Sequence, residues 1–291
     1  MRTENRKLKT GQYHQRKIDC FGRIDLAMTT LIAGYRYLLS TDYRSLSAIH
    51  YSLFTIHHSL FTVFCLLFSL LLFSKAAFAE VMVYDGVTIP EKNIRLKAVT
   101  KGRFFPEGGK LVEFYLDGVH IGTKLSGGDG YAFADYLSFS TGIKRIKLKS
   151  GADTDEGTLL VVVGTNLVLL VELEGALFES PYPFKPVKGS RDALQSLSKT
   201  FSIVYLTSKT DLKKSRQWVK DNGLPPSAVL QWKGADIFDE LQRQGIKLHA
   251  IIGSPEVVSD APAHIKKRFT FEDTENAVTV KDWNELLKNL R

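Results

Sequence analysis

The sequence predicts a multidomain fold, with an all-β N-terminal sandwich followed by a C-terminal α/β domain. From residue 81 to about 163, short apolar runs are separated by turn signals, which is typical of a sandwich. From residue 167, continuous apolar runs alternate with helical patterns, which indicates a parallel sheet covered by helices. With 291 residues, 44% of them apolar, the chain has room for about two domains. We divide it into a leader (1–79), a sandwich with a linker (80–158) and an α/β domain (159–291).

The leader has its own charge and cysteine content. Residues 1–79 carry ten Lys and Arg against four Asp and Glu, whereas the rest of the chain is nearly balanced, at 29 against 27. The formal charge of +8 is therefore no argument for a nucleic-acid partner of the folded part. Cys20 and Cys65 both lie in the leader, so the remaining chain can form neither disulfides nor thiolate metal sites.

Residues 59–74 are apolar and uncharged, and Lys75 and the sequence Ala77-Phe78-Ala79 follow them. A short apolar core before Ala-x-Ala is typical of a secretory signal peptide, so we expect cleavage after Ala79 and an exported protein, periplasmic or extracellular. The alternative is a membrane anchor through residues 53–74, although the run is short for a bilayer span. Residues 1–50 are long for a signal-peptide start, and they could lie upstream of the true start.

Five strands are predicted in the sandwich, over 93–99, 110–116, 120–125, 130–137 and 143–149. Asp117-Gly118 lies between two of them and predicts a hairpin, because both residues tolerate positive φ. In the last strand, Lys144, Arg145, Lys147 and Lys149 form either a patch for an anionic surface or a solvated strand face. Residues 150–157 (SGADTDEG) are polar and turn-rich, which predicts a linker between the domains.

The segment 109–118 (GKLVEFYLDG), followed by Ile121-Gly122-Thr123, Asp129-Gly130 and Gly142, resembles the bacterial Ig-like repeats of surface and periplasmic proteins. The resemblance covers about 75 residues. It implies a module that acts as a spacer or in adhesion, and it brings no catalytic site with it.

In the α/β domain we predict strands over 167–171, 201–206, 248–252 and from 268. We predict helices over 190–200, 211–222, 236–244 and 282–290. The order favours parallel strands with helices on both faces of the sheet. In such sheets the site lies at the carboxyl ends of the strands. Those ends carry residues 172–178 (ELEGALF), Thr207-Ser208-Lys209 and Gly253-Ser254-Pro255.

This set of strand ends resembles the haloacid dehalogenase (HAD) superfamily, and its capless lipin-type phosphatases most of all. In that family an apolar strand leads into D-x-D-G-T-L-F, a later strand ends in Thr or Ser, and a third ends in G-D. The resemblance implies a nucleophile at Glu172, an acid/base at Glu174, phosphate ligands at Thr207 and Lys233, and metal ligands at Glu172 and Ser254. Lys247 is the alternative to Lys233. The competing interpretation of the first segment is an ordinary strand that runs into a loop with two exposed acids.

The chain departs from the HAD pattern at the positions that perform the chemistry. Glu172 and Glu174 are each one methylene longer than Asp, which displaces a carboxylate by about 1 Å, and such a misplacement can cost about a hundredfold in rate. Ala176 stands where the family has Thr.

Ser254 removes a carboxylate from a Mg²⁺ site, which depends on hard anionic oxygens. Glu256 and Asp260 are nearby acids, but neither is at the expected position.

These departures predict a non-catalytic binding module with no resident cofactor. Its partner would be a cell-surface or periplasmic protein or an anionic ligand. The alternative is a weak Mg²⁺-dependent phosphatase that uses Glu172 as nucleophile or as a base for water.

Overall fold

The computed structural model describes residues 61–64, 80–102, 105–180 and 184–290. The chain divides into two compact units, Met1–Ala76 and Ala77–Arg291. In the first unit only residues 61–64 are described, and they are helical. Most of the predicted signal peptide, with its cleavage site, therefore lies outside the described residues. Within the described part of the chain, no helix is both long enough and apolar enough to cross a bilayer.

Residues 80–161 form a β-sandwich of two sheets. The three-stranded sheet has the order β1-β3-β6 and the five-stranded sheet has the order β2-β8-β7-β4-β5. Side chains from both sheets, such as Leu96 and Phe114, fill a shared core. The strands are β1 (Glu80–Val83), β2 (Gly86–Thr88), β3 (Asn93–Lys101), β4 (Leu111–Leu116), β5 (Val119–Leu125), β6 (Tyr131–Leu137), β7 (Gly142–Ser150) and β8 (Asp153–Val161).

The predicted hairpin is confirmed between β4 and β5. Asp117 has a φ of 49° and Gly118 a φ of 83°, and these two residues alone connect the strands. Positive φ at both central residues matches the twist of the flanking strands, which is why Asp-Gly is favoured here.

The predicted linker over 150–157 is wrong. Ser150 ends β7, residues 151–152 form the turn and residues 153–157 form the first half of β8, which pairs with β7 from Ser150↔Asp153 to Gly142↔Val161. The segment is polar and turn-rich, which is the composition of a linker. In the fold, however, Asp155 is buried and accepts a hydrogen bond from the Val83 backbone N at 2.9 Å.

The second half of this unit is a six-stranded parallel sheet with the order β11-β10-β9-β12-β13-β14. Its strands are β9 (Leu167–Glu172), β10 (Ser202–Thr207), β11 (Val229–Gln231), β12 (Lys247–Ile252), β13 (Lys267–Thr270) and β14 (Val278–Thr279). Its helices are α1 (Ser190–Leu197), α2 (Leu212–Asp221), α3 (Asp236–Arg243), α4 (Pro255–Ser259) and α5 (Trp283–Leu290). The short strands β11 and β14 and the helix α4 have no counterpart among the predicted elements.

Helices cover both faces of this sheet. Helices α1, α2 and α5 pack with Leu169 and Val171 on one face, whereas α3 and α4 pack with Val168 and Leu170 on the other. This explains why β9 is a continuous apolar run: each of its faces is buried. Asp211 caps α2 as predicted, because its carboxylate accepts hydrogen bonds from the Lys213 and Lys214 backbone N atoms.

The strand order reverses at β9. The chain moves outward through β10 and β11 on one side, and returns to the other side of β9 with β12. In open parallel sheets a ligand crevice lies at such a reversal, beyond the carboxyl ends of the strands. Glu172 ends β9 at this position.

The sandwich and the α/β domain share apolar contacts and a buried ion cluster. Val87, Leu160 and Val162 pack in the same apolar cluster as Leu170 of the parallel sheet. Arg216 of α2 pairs with two sandwich carboxylates, that of Asp85 at 3.0 Å and that of Asp155 at 2.9 Å. The exposed fractions of the three side chains are 12%, 0% and 5%, so the ions are held almost out of water.

Candidate functional site

The Glu172 side chain lies at the carboxyl end of β9 and is only 1% exposed. Its Oε1 accepts a hydrogen bond from the Ser208 hydroxyl at 2.8 Å, and its Oε2 accepts one from the Ser254 backbone N at 2.6 Å. One donor comes from the loop after β10 and the other from the loop after β12. The carboxylate therefore ties together the loops on both sides of the strand reversal.

Two glycines make room for this carboxylate. A Cβ built on Gly175 would lie 2.1 Å from the Ser254 backbone N and 2.5 Å from the Glu172 Oε2. A Cβ built on Gly253 would lie 2.8 Å from the same oxygen. At Gly175 the contact is with the backbone, so glycine is required there for a steric reason, whereas a side chain at position 253 would have to displace the Glu172 carboxylate.

The Glu174 carboxylate is surrounded by donors from a single loop. It lies in a π-helical turn, Leu173–Leu177, and its oxygens accept from the backbone N atoms of Ser208, Lys209 and Thr210 at 3.1, 3.1 and 2.9 Å. The Thr207 hydroxyl donates to the same carboxylate at 2.7 Å. Successive N–H groups that converge in this way form an anion-binding loop, and here the anion is the protein's own Glu174.

These hydrogen bonds also determine the protonation state of Glu174. Burial by itself raises the pKa of the carboxyl, but the hydrogen bonds from Thr207, Ser208 and Lys209 outweigh it, so that the pKa lies below its ordinary value of 4.5. Donors that stabilise the charged form act in this direction. Glu174 is therefore an anion at neutral pH, and it is poorly suited to act as a proton donor.

The fold brings together four of the five predicted site residues. Glu172, Glu174, Thr207 and Ser254 lie at the ends of β9, β10 and β12, and hydrogen bonds link them as described. Ser208 and the Thr210 backbone N were not among the predicted residues. Ser208 could have been found, because it lies between Thr207 and Lys209 in a segment that the sequence had already marked as a strand end.

The two candidate lysines lie at opposite ends of their strands. Lys233 is at the carboxyl end of β11, but its Nζ lies 5.7 Å from the centroid of the Tyr84 ring, and no carboxylate of the described residues lies within ion-pair distance of it. Lys247 begins β12 and pairs with Leu167, the first residue of β9. It is thus at the opposite edge of the sheet from Glu172, so the alternative assignment of Lys247 is wrong.

The side chains at this site do not fit the Mg²⁺ that the HAD resemblance implies. Ser254 contributes no charge, and both oxygens of Glu172 accept hydrogen bonds from other loops. Glu256 is exposed on α4 and Asp260 follows that helix. Among the described residues, no group of three or more His, Cys, Asp or Glu side chains is placed to hold a metal ion.

Comparisons with known proteins give partial likenesses. No family model matches the sequence, and no curated protein matches it. Among solved structures, the fibronectin(III)-like modules of Clostridium thermocellum CbhA align with 14% identity over 28% of this chain and 94% of that chain, at a TM-score of 0.21. Domains 4 and 5 of the S-layer protein SbsC align with 14% identity over 28% of this chain and 51% of that chain, at a TM-score of 0.23.

A polysaccharide lyase aligns with 14% identity over 30% of this chain, at a TM-score of 0.24. The alignment spans only 12% of that enzyme. At these TM-scores the likenesses carry no argument about activity. The description of residues 80–161 as a β-sandwich rests on the strand pairing given above.

Proposed function

We propose that this protein is an exported, non-catalytic binding protein, in which an Ig-like sandwich is joined to a HAD-like domain without phosphatase chemistry. The observation that carries the proposal is the position of Glu174. Its carboxylate accepts hydrogen bonds from the Thr207 hydroxyl and from three backbone N–H groups, which are donors of the kind that bind a phosphate. Because these donors already bind the Glu174 carboxylate, a phosphate group would have to displace that carboxylate from the loop.

The burial and the hydrogen bonds of Glu172 also support a domain without phosphatase chemistry. A nucleophilic carboxylate must approach phosphorus closely and in line with the leaving oxygen. Glu172 is buried, and each of its oxygens is held by a different loop, so that attack would require both hydrogen bonds to break. Its role in the proposed module is structural: it joins the loops after β10 and β12.

Export is the second part of the proposal. Its support is the apolar core 59–74 followed by Ala77-Phe78-Ala79, together with the absence of cysteine from residues 80–291. A chain without thiols needs no disulfide machinery in an oxidising compartment.

A phosphatase assay tests the loss of chemistry. The purified chain is incubated with an aryl phosphate, with and without Mg²⁺, beside a Glu172→Gln variant of equal size. We expect both proteins to give the same background rate. Turnover by the wild type that disappears in Glu172→Gln would establish the alternative, a weak phosphatase with Glu172 as its catalytic group.

A reversion experiment tests whether Glu172, Glu174 and Ser254 occupy the acidic positions of a HAD-like site. Glu172→Asp, Glu174→Asp and Ser254→Asp together rebuild the acidic set of the HAD family, and the shorter Asp at 174 withdraws from the loop of Thr207. We expect calorimetry to detect Mg²⁺ binding that the wild type lacks. No gain in a folded triple variant would count against the HAD assignment.

A further inference from the structure

A cleft of about 640 Å³ lies between the sandwich and helix α2, apart from the site at the strand ends. Lys213, Arg216, Gln217 and Lys220 line it from the helix. These positions are spaced i, i+3, i+4 and i+7, so they belong to one face of α2. That face is strongly basic.

The opposite wall of the cleft comes from β7 and β8, and its β7 part is also basic. Arg145 and Lys147 alternate along β7 with the core residues Ile146 and Leu148, so both point away from the sandwich core. Their partners across the strand pair are Thr158 and Glu156. The cleft is therefore the place where the basic segment of β7 meets a second set of basic residues from another domain.

Charge in the cleft is unbalanced. Six Lys and Arg line it, against Asp155 and Glu156 alone. Asp155 is already paired with Arg216. Lys144 and Lys213 each have a carboxylate 3.8–4.0 Å away, outside the cleft lining.

Three of the cations have no such compensation. Among the described residues, no carboxylate oxygen lies within 4.0 Å of a side-chain nitrogen of Arg145, Lys147 or Lys220. Lys149, by contrast, lies outside the cleft and 3.9 Å from Glu113. Like charges on facing walls repel each other, and a cleft with an excess of one sign of charge concentrates counter-ions.

We propose that this cleft binds a small multivalent anion, one that carries several phosphate or carboxylate groups. Its volume falls within the range of small-molecule sites, about 300–1,000 Å³. Pro226 and Val229 supply an apolar part of the lining for the body of such a ligand. None of the five predicted site residues lines the cleft, so the inference does not depend on the proposed function of the strand-end site.

Titration calorimetry of the full chain at low salt, with tripolyphosphate and with citrate, tests this inference. The test variant is Arg145→Gln/Lys147→Gln/Lys220→Gln. The control is Lys124→Gln/Lys199→Gln/Lys214→Gln, which removes the same charge from exposed positions outside the cleft. We expect the better of the two anions to bind about tenfold more weakly to the test variant, because three exposed charge pairs of modest strength are lost. The control should stay within about twofold of the wild type.

Footprinting on the unaltered protein gives an independent measurement. An amine-reactive label should modify Lys147 and Lys220 more slowly when the anion is present, with Lys124 and Lys199 unchanged. A stronger effect of tripolyphosphate would indicate a phosphate ligand, and a stronger effect of citrate a carboxylate ligand. The inference is overturned if neither anion binds at low salt, or if the two triple variants lose affinity equally.

Discussion

Arg216 should be the residue on which the junction of the two domains depends most. Its guanidinium donates to the Val83 carbonyl and to the Asp85 carboxylate at 3.0 Å, and to the Asp155 carboxylate at 2.9 Å. Arg216→Met keeps the aliphatic bulk but leaves two carboxylates with almost no access to water. Removing one partner of a buried ion pair typically costs about 3–5 kcal/mol. That is a large part of a domain's stability, which is about 5–15 kcal/mol.

Urea unfolding measures this loss. Trp218, Trp232 and Trp283 all lie in the α/β domain, so fluorescence follows that domain while circular dichroism follows both. The control is Arg191→Met on α1, whose side chain is 60% exposed beside Asp192. Since exposed pairs contribute about 0–1 kcal/mol, this variant should unfold almost as the wild type does.

The pH dependence of the stability lost in Arg216→Met provides a second test. Burial raises the pKa of Asp85, and Arg216 with the backbone N atoms of Val229 and Thr158 opposes the rise. Without Arg216 the pKa should rise further, so the folded state should hold a proton that the unfolded state has lost. The stability deficit of Arg216→Met should therefore shrink as the pH is lowered.

Neutralising the carboxylates should rescue the variant. Adding Asp85→Asn and Asp155→Asn to Arg216→Met removes the uncompensated charges, so part of the lost stability should return. A loss of stability below about 1 kcal/mol in Arg216→Met at neutral pH would refute the reasoning, because it would mean that water reaches the cluster.

Three other predictions concern the leader and the strand-end site. N-terminal sequencing of the exported protein should give Glu80 as the first residue, and a start upstream of residue 59 in the membrane fraction would indicate an anchor instead. Glu174→Ala should empty the anion-binding loop, so inorganic phosphate should raise the melting temperature of this variant but not of the wild type or of the exposed control Glu179→Ala. Gly175→Ala should destabilise the fold by several kcal/mol in thermal unfolding, because its Cβ meets the Glu172 carboxylate and a backbone N; a normal melting temperature would contradict this packing.

The sequence determined the elements whose patterns are local. The Asp117-Gly118 hairpin follows from two residues that accept positive φ. The buried strands β9, β10 and β12 follow from apolar runs that are shielded on both faces, and α2 follows from its Asp211 cap. The grouping of Glu172, Glu174, Thr207 and Ser254 could also be expected, because the carboxyl ends of parallel strands meet at one edge of a sheet.

Only the tertiary structure decided how the acidic and basic residues are used. The segment 150–157 is polar by composition, and composition cannot show that Asp155 is buried against Arg216, a residue 61 positions away. The HAD resemblance implied a catalytic position for Glu174, but the sequence did not show that its carboxylate accepts hydrogen bonds from the donors of the loop after β10. Arg145 and Lys147 become part of a cleft only because α2 brings a second basic face opposite them. Local pattern fixes which way a side chain points, whereas its charge partners depend on distant segments that folding brings together.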